Sequence, residues 1–189
     1  LLKVDIWHSV NQYNKLYRQS PKFIFTIHDL NFLFEQEGQK RQEFLQRIQQ
    51  KIDKATIITT ISHYVADEIK KYTNLNGKEI RVIYNGVERI DQQEGKQPKF
   101  ATGRPFFFTI GEIRTKKNFH LLVDVMKFLP EYDLYICGKD SFQYADEIRT
   151  QIKEKAVGNV FVTGMIEQTE KIWLYRNCQA FLFPVSYTH

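Results

Sequence analysis

Short apolar runs alternate along this chain with longer stretches in which apolar residues recur every three or four positions. These are the two periods of strand and helix. Residues 3–7 read as a strand running to His8, and the polar region 11–19 as a short helix. Residues 23–27 form a clearer strand ending at His28-Asp29. Residues 31–34 then give way to a Gln- and charge-rich helix running to about Ile52, with Phe44, Leu45, Ile48 and Ile52 on its buried face. Residues 55–61 are the next strand; Ser62 caps a helix whose face is Val65, Ile69 and Tyr72. Residues 80–84 are a strand closed by Asn85-Gly86.

Residues 89–104 carry neither period, are polar, and contain Gly95, Pro98 and Gly103. They read as a connection between two domains, 1–88 and 105–189. Beyond it lies the most informative stretch, Phe106-Phe-Phe-Thr-Ile-Gly111-Glu-Ile-Arg114-Thr-Lys116-Lys117-Asn118. Its first five residues are too short an apolar run for a helix. Gly111 stops them, and Phe119, Leu122, Val123, Met126 and Leu129 then fall at helical spacing, with Asn118 at the N-cap. The pattern predicts a strand, a glycine turn with three cations, and a helix whose free N–H groups point back at that turn. Such a turn suits an anion. Strand 133–137 stops at Gly138-Lys139-Asp140, a helix covers about 144–156, strand 160–163 stops at Gly164, a helix covers about 169–177, and residues 180–183 form a last strand before Pro184.

Strands alternating with helices imply parallel sheets joined by right-handed crossovers. Ligands of such sheets gather outside the carboxyl ends of the strands. In the first half those ends carry His8, His28-Asp29 and Ser62; in the second they carry Gly111, Gly138 and Gly164. One half therefore suits chemistry and the other suits close approach of a flat or phosphorylated molecule. Bland readings stand beside these: a strand-end histidine also serves as a structural hydrogen-bonding group, Lys139-Asp140 also makes a turn, and Ser62 is foremost a helix cap.

Composition narrows the class. Hydrophobic content of 42% and charged content of 26% belong to an ordinary globular protein. A net charge of +5 and a pI near 9.1 allow a polyanionic partner or an anionic membrane surface. Acidic residues interleave with basic ones, which argues against nucleic acid. Cys137 and Cys178 lie in or beside apolar runs without Cys-x-x-Cys spacing, as small buried residues of a reducing compartment do. No apolar run has the length of a membrane span, and no signal peptide is visible. There is no Gly-x-Gly-x-x-Gly, P-loop, His-Glu-x-x-His or Gly-x-Ser-x-Gly. No Asp-x-Asp pair occurs either, so a diphosphate here leans on Lys and Arg rather than on carboxylate-held Mg²⁺.

Five motifs, Thr26-Ile-His-Asp-Leu30, Ile57-Ile-Thr-Thr-Ile-Ser62, Val82-Ile-Tyr-Asn-Gly-Val-Glu88, Gly111-Glu-Ile-Arg-Thr-Lys-Lys-Asn118 and Phe181-Leu-Phe-Pro184, occur in this order. Together they resemble the group 1 (family 4) glycosyltransferases. The resemblance implies an α/β chain of GT-B type, with two Rossmann-like domains and a nucleotide-sugar in the cleft between them, both domains incomplete here. It implies transfer of a hexose from a UDP- or GDP-sugar to a hydroxyl of a polysaccharide or lipid-linked acceptor. Configuration would be retained, with no metal or cofactor required and the nucleotide-sugar acting as a substrate. Lys117 matches the lysine that neutralises the diphosphate. Glu112 stands where many members have Arg, leaving Arg114 or Lys116 to substitute. His8 and His28 align with histidines near the transferred sugar, and Gly138, Lys139, Met165 and Ile166 fall where the nucleobase is lined. A cytoplasmic enzyme, peripheral at the inner face of an anionic membrane, is the implied setting.

The family continues after the Phe183-Pro184 position with a segment bearing two glutamates that bind sugar and ribose; here Val185 follows and the chain ends at His189. It opens on Leu1, almost at the strand bearing His8. The expectation is therefore a fragment truncated at both ends, inactive alone and prone to self-association. Two other readings are a non-catalytic nucleotide- or sugar-binding module on the same scaffold and a basic nucleic-acid-binding protein.

Overall fold

The computed structural model describes residues 4–14, 22–89 and 92–185. They form two compact units, divided between Val87 and Glu88.

In the first unit, β1 (Ile6–Ser9), β2 (Lys22–Ile27), β3 (Ile57–Thr60) and β4 (Ile80–Val82) make a wholly parallel sheet in that order. Strand β2 alternates as expected: Phe23, Phe25 and Ile27 are buried, while Ile24 and Thr26 are half-buried on the opposite face. The inward set packs with Ile48 and Ile52 of α2 (Gly38–Lys54) and with Val65 and Ile69 of α3 (His63–Tyr72). Each such side chain contributes roughly 1.5–3 kcal/mol by leaving water. Residues 31–34, read as leading into the α2 helix, hold a helical turn of their own. A short α1 (Phe32–Glu35) precedes α2, and the break lies before Gly38, whose φ of +56° suits a residue without Cβ. Residues 11–13 form a turn in which the Tyr13 N–H donates to Asn11 Oδ1 at 2.7 Å. The remainder of the helix expected there, residues 15–19, lies outside the described residues, as does residue 3 of the first expected strand.

The second unit holds β5 (Phe106–Ile110), β6 (Asp133–Cys137), β7 (Val160–Gly164) and β8 (Ala180–Phe181), again all parallel, in the order β7-β6-β5-β8. Every residue of β6 is buried, which is why it reads as a continuous run without alternation. Leu134 and Ile136 meet α4 (Phe119–Met126) and α5 (Gln143–Glu154) on one face. Tyr135 and Cys137 join Phe106, Phe108 and Leu174 on the other, where α6 (Gln168–Asn177) packs. Sheet covered on both faces by helices is the layering that alternating elements require.

The polar segment before β5 is fastened to this unit from about residue 95. The Lys96 N–H donates to the Thr169 carbonyl at 3.0 Å, the Thr102 N–H to Tyr135 Oη at 3.1 Å, and Arg104 pairs with buried Asp133 at 2.9 Å. Its polarity has a use that periodicity does not register.

Candidate active site

The carboxyl edge of the second sheet is laced together by backbone. Gly111 follows β5, Gly138 follows β6, and Gly164 ends β7. The Gly111 N–H donates to the Cys137 carbonyl at 3.0 Å, Gly138 N–H to the Gly164 carbonyl at 2.7 Å, and Ile113 N–H to the Lys139 carbonyl at 2.9 Å. A Cβ on Gly138 would lie 2.0 Å from the Gly111 carbonyl oxygen, and its φ is +124°. No other residue fits there. Fully buried Ile113 pins the turn into the core beneath it.

The cations of this turn are placed by aromatic rings. Lys117 folds back so that its Cε passes 3.7 Å from where a Cβ of Gly111 would stand, with Nζ 4.9 Å from the Phe183 ring centroid. The Arg114 guanidinium lies 4.0 Å from the centroid of Phe142, and its Nε pairs with Glu112 at 3.0 Å. Lys139 Nζ stands 5.6 Å from the same ring. Lys116 is half-buried in a single 3-10 turn, Thr115–Lys117. The structure thus brings Gly111, Lys117, Arg114, Gly138 and Lys139 to one edge. The last two predicted residues diverge: Met165 is 77% exposed, while Ile166 turns into the apolar cluster around Tyr135.

One expectation needs correcting. Asn118 is not a side-chain cap with the helix amides open behind it. It takes the left-handed conformation, φ +54°, and makes no side-chain capping bond. The Leu121 N–H donates to the Asn118 carbonyl at 3.0 Å, and the His120 N–H donates to Tyr144 Oη at 3.0 Å. Two helix-end donors are therefore satisfied by protein, and the 3-10 turn separates the helix from Gly111. Burial raises the Tyr144 hydroxyl above its ordinary pKa, so it stays protonated at neutral pH. It accepts from that amide and completes the arrangement with His120 Nδ1 at 2.6 Å. Positive charge at this edge is thus carried by the side chains of Arg114, Lys117 and Lys139.

The first sheet handles its polar groups differently. His8 lies inside β1, not beyond its end, and its Nε2 meets Thr26 Oγ1 at 2.8 Å across the sheet face. Thr26 Oγ1 in turn meets Thr59 Oγ1 at 2.6 Å. His28 does follow β2. Its Nε2–H donates to the Val10 carbonyl at 2.8 Å, and its backbone N–H donates to Gln12 Oε1 at 3.0 Å. Gln12, only 6% exposed, also donates to the Asp29 carbonyl at 3.2 Å. His8 and His28 thus have separate partners. Ser62 is a cap: its Oγ accepts from the Val65 N–H at 3.2 Å.

These two glycine- and histidine-edged parallel sheets match known proteins. The profile described as Glycosyl transferases group 1 covers residues 91–189, just over half the chain, and that described as Glycosyltransferase Family 4 covers residues 1–89. The chain belongs to the group 1 glycosyltransferase family. It is similar to O-antigen chain mannosyltransferase C of Escherichia coli, 28% identical over 134 residues, which are 68% of this chain and 34% of that protein. To O-antigen chain mannosyltransferase RfbU of Salmonella typhimurium it is 24% identical over 165 residues, 84% of this chain and 44% of the relative. The chain therefore spans less than half the length of these curated relatives. In fold it is similar to sucrose-phosphate synthase from Thermosynechococcus elongatus, with TM-score 0.71, 17% identity, and coverage of 90% of this chain and 46% of that one. It is also similar to HepE of Anabaena in complex with UDP-glucose, with TM-score 0.70, 15% identity, and coverage of 88% and 47%. The α/β class of GT-B type, with parallel sheets, is thereby established.

Sequence reading missed Gln12 and Phe142, the pairing of Glu112 with Arg114, and the ion pair between Asp140 and Arg149 beside Gly164. Gln12 sits in an aperiodic polar stretch and Phe142 after a glycine turn, so neither carried a periodic signal. Among the described residues no group of three His, Cys, Asp or Glu side chains is placed to hold a metal ion. No described helix is long and apolar enough to cross a membrane.

Proposed function

We propose that this chain serves hexosyl transfer from a nucleotide-diphosphate sugar to a hydroxyl of a polysaccharide or lipid-linked acceptor, with retention of configuration. The observation that carries this reading is Lys117 lying back over Gly111, beside the backbone contact between Gly111 and Gly138. A diphosphate placed there meets Lys117 and Arg114, with Lys116 in the same turn, and the nucleobase extends toward Gly138, Lys139 and Met165. Ile166 supports that strand end from the core. In transfer, the bond from sugar C1 to the β-phosphate oxygen breaks and a bond from the acceptor oxygen to C1 forms on the same face. The acceptor proton leaves with the nucleoside diphosphate. Preorganised cations favour the leaving diphosphate as its charge develops, and this reading assigns that charge to Lys and Arg rather than to a metal. His8 and His28 orient the acceptor hydroxyl and the transferred sugar, a role that suits imidazole near neutral pH. The names of the two O-antigen relatives favour mannose as the hexose and a cell-surface polysaccharide as the product. A cytoplasmic enzyme touching an anionic membrane face fits the excess of cations.

Titration with UDP and GDP tests the reading. A hydrogen bond to a charged group contributes roughly 1.5–3 kcal/mol, so Lys117→Ala should weaken nucleoside diphosphate binding by about 10- to 100-fold. Equal affinity for both forms removes Lys117 from the site. Stoichiometric binding without turnover on a panel of UDP- and GDP-sugars would instead favour a non-catalytic sugar-nucleotide module.

A further inference from the structure

Two loops meet above β5 and β6, and what joins them is a phenylalanine with two cations around it. Phe142 is half-buried at the start of α5, and its carbonyl accepts from the Ala145 N–H at 2.9 Å, which fixes its backbone. Across from it, buried Ile113 and the Ile113 N–H bond to the Lys139 carbonyl, at 2.9 Å, hold the 111–114 turn in register with the 138–142 loop. Arg114 then lies 4.0 Å from the Phe142 centroid, and Lys139 Nζ 5.6 Å from it. A ring attracts a cation without cancelling its charge. Arg149 nearby is met by two carboxylates, Asp140 and Asp146, whereas Arg114 is met by one, Glu112. Glu112 pairs with the Nε of Arg114 at 3.0 Å. The two terminal nitrogens then form a fork suited to a pair of phosphate oxygens.

We propose that Phe142 is a positioning residue for a nucleoside diphosphate. Its ring holds Arg114, with Lys139 beside it, so that Arg114 is the second phosphate-binding cation alongside Lys117, and Glu112 sets its rotation. This rests on the donor-binding reading above. It further assigns the second charge to Arg114 rather than Lys116. An arginine with several rotatable bonds loses less freedom on binding when a ring and a carboxylate have already chosen its rotamer.

The test is calorimetric titration of the chain with UDP, GDP, uridine and guanosine. Phe142→Ala should lower diphosphate affinity about tenfold and leave nucleoside affinity unchanged, while Phe142→Tyr should bind within twofold of the parent. Arg114→Gln should lose at least as much, and adding Phe142→Ala to Arg114→Gln should cost nothing further, since a positioning ring has no target without its cation. Additive losses, or equal loss for nucleosides, would overturn the positioning role. Should Phe142→Ala fail to fold, Arg114→Gln and Phe142→Tyr still decide, because unchanged affinity in Arg114→Gln refutes the assignment. If Phe142→Ala and Arg114→Gln bind as the parent does while Lys117→Ala does not, this inference fails and the donor site stands. If the parent binds no nucleoside diphosphate, both fail.

Discussion

The carboxyl edges of the two sheets solve the same topological problem in opposite ways. At the first, polar side chains bond to their own unit: His8 to Thr26, Thr26 to Thr59, His28 to Val10, and Gln12 across to the His28 amide and the Asp29 carbonyl. At the second, strands end in glycines whose backbones touch one another, and cations stand over rings. Side-chain hydrogen bonds cross-link the first sheet, whereas backbone contacts lie beneath the cations of the second.

Breaking the second edge should produce the largest effect. Gly138→Ala sets a Cβ 2.0 Å from the Gly111 carbonyl and strains a φ of +124°, in a place where the neighbour is backbone and cannot rotate away. Overpacking and backbone strain each cost about 1–3 kcal/mol, so urea unfolding should show a loss on the order of 3–5 kcal/mol for the second unit. Gly158→Ala, with nothing within 4 Å of its Cβ position, should change little by the same measurement. A small effect at Gly138 would mean that the contact with Gly111 yields easily.

The second effect comes from Cys137, at the end of β6 beneath the same glycines. Burial pushes its thiol from 9.0 up to about 11. Since the unfolded thiol ionises first, the stability it contributes is fully present below about pH 9. It is lost progressively as pH rises to about 11, amounting to roughly 2–3 kcal/mol. Unfolding curves from pH 8 to 11 should therefore fall more steeply for the parent than for Cys137→Ala. Parallel slopes would show that this edge admits water to the sulfur.

The first sheet is sharpened by His8→Ala, measured as turnover on nucleotide-sugars. With His8 orienting the sugar, turnover should drop about a hundredfold while nucleoside diphosphate affinity stays within twofold. An unchanged turnover number, with a stability loss of about 1 kcal/mol from the broken bond to Thr26, would assign the residue to the sheet alone.

Most of the fold was legible because burial imposes a period. Phe23, Phe25 and Ile27 alternate because one face of β2 is core, and Phe119, Leu122, Val123 and Met126 recur because one face of α4 is. The glycine turn was legible because a strand, a stop and a helix follow within a dozen residues. Illegible were the departures from local rule. Asn118 has the identity of an N-cap yet is left-handed, since Tyr144, 26 positions later, supplies the bond a cap would make. His8 looked like a strand end because the apolar run stops at Trp7 and a polar region follows from residue 11, while β1 in fact continues to Ser9 by pairing with Phe25.

By itself, then, the sequence determined that strands and helices alternate, that the sheets are parallel, and that Gly111, Gly138 and Gly164 stand at one edge with Arg114, Lys116 and Lys117 among them. Those follow from spacing along the chain, which each segment carries alone. Tertiary structure decided which cation stands over which ring, that Gln12 bridges two loops, and that Ile166 turns inward while Met165 turns out. Each of these depends on the distance between side chains far apart in sequence, and that distance exists only once the strands between them have paired.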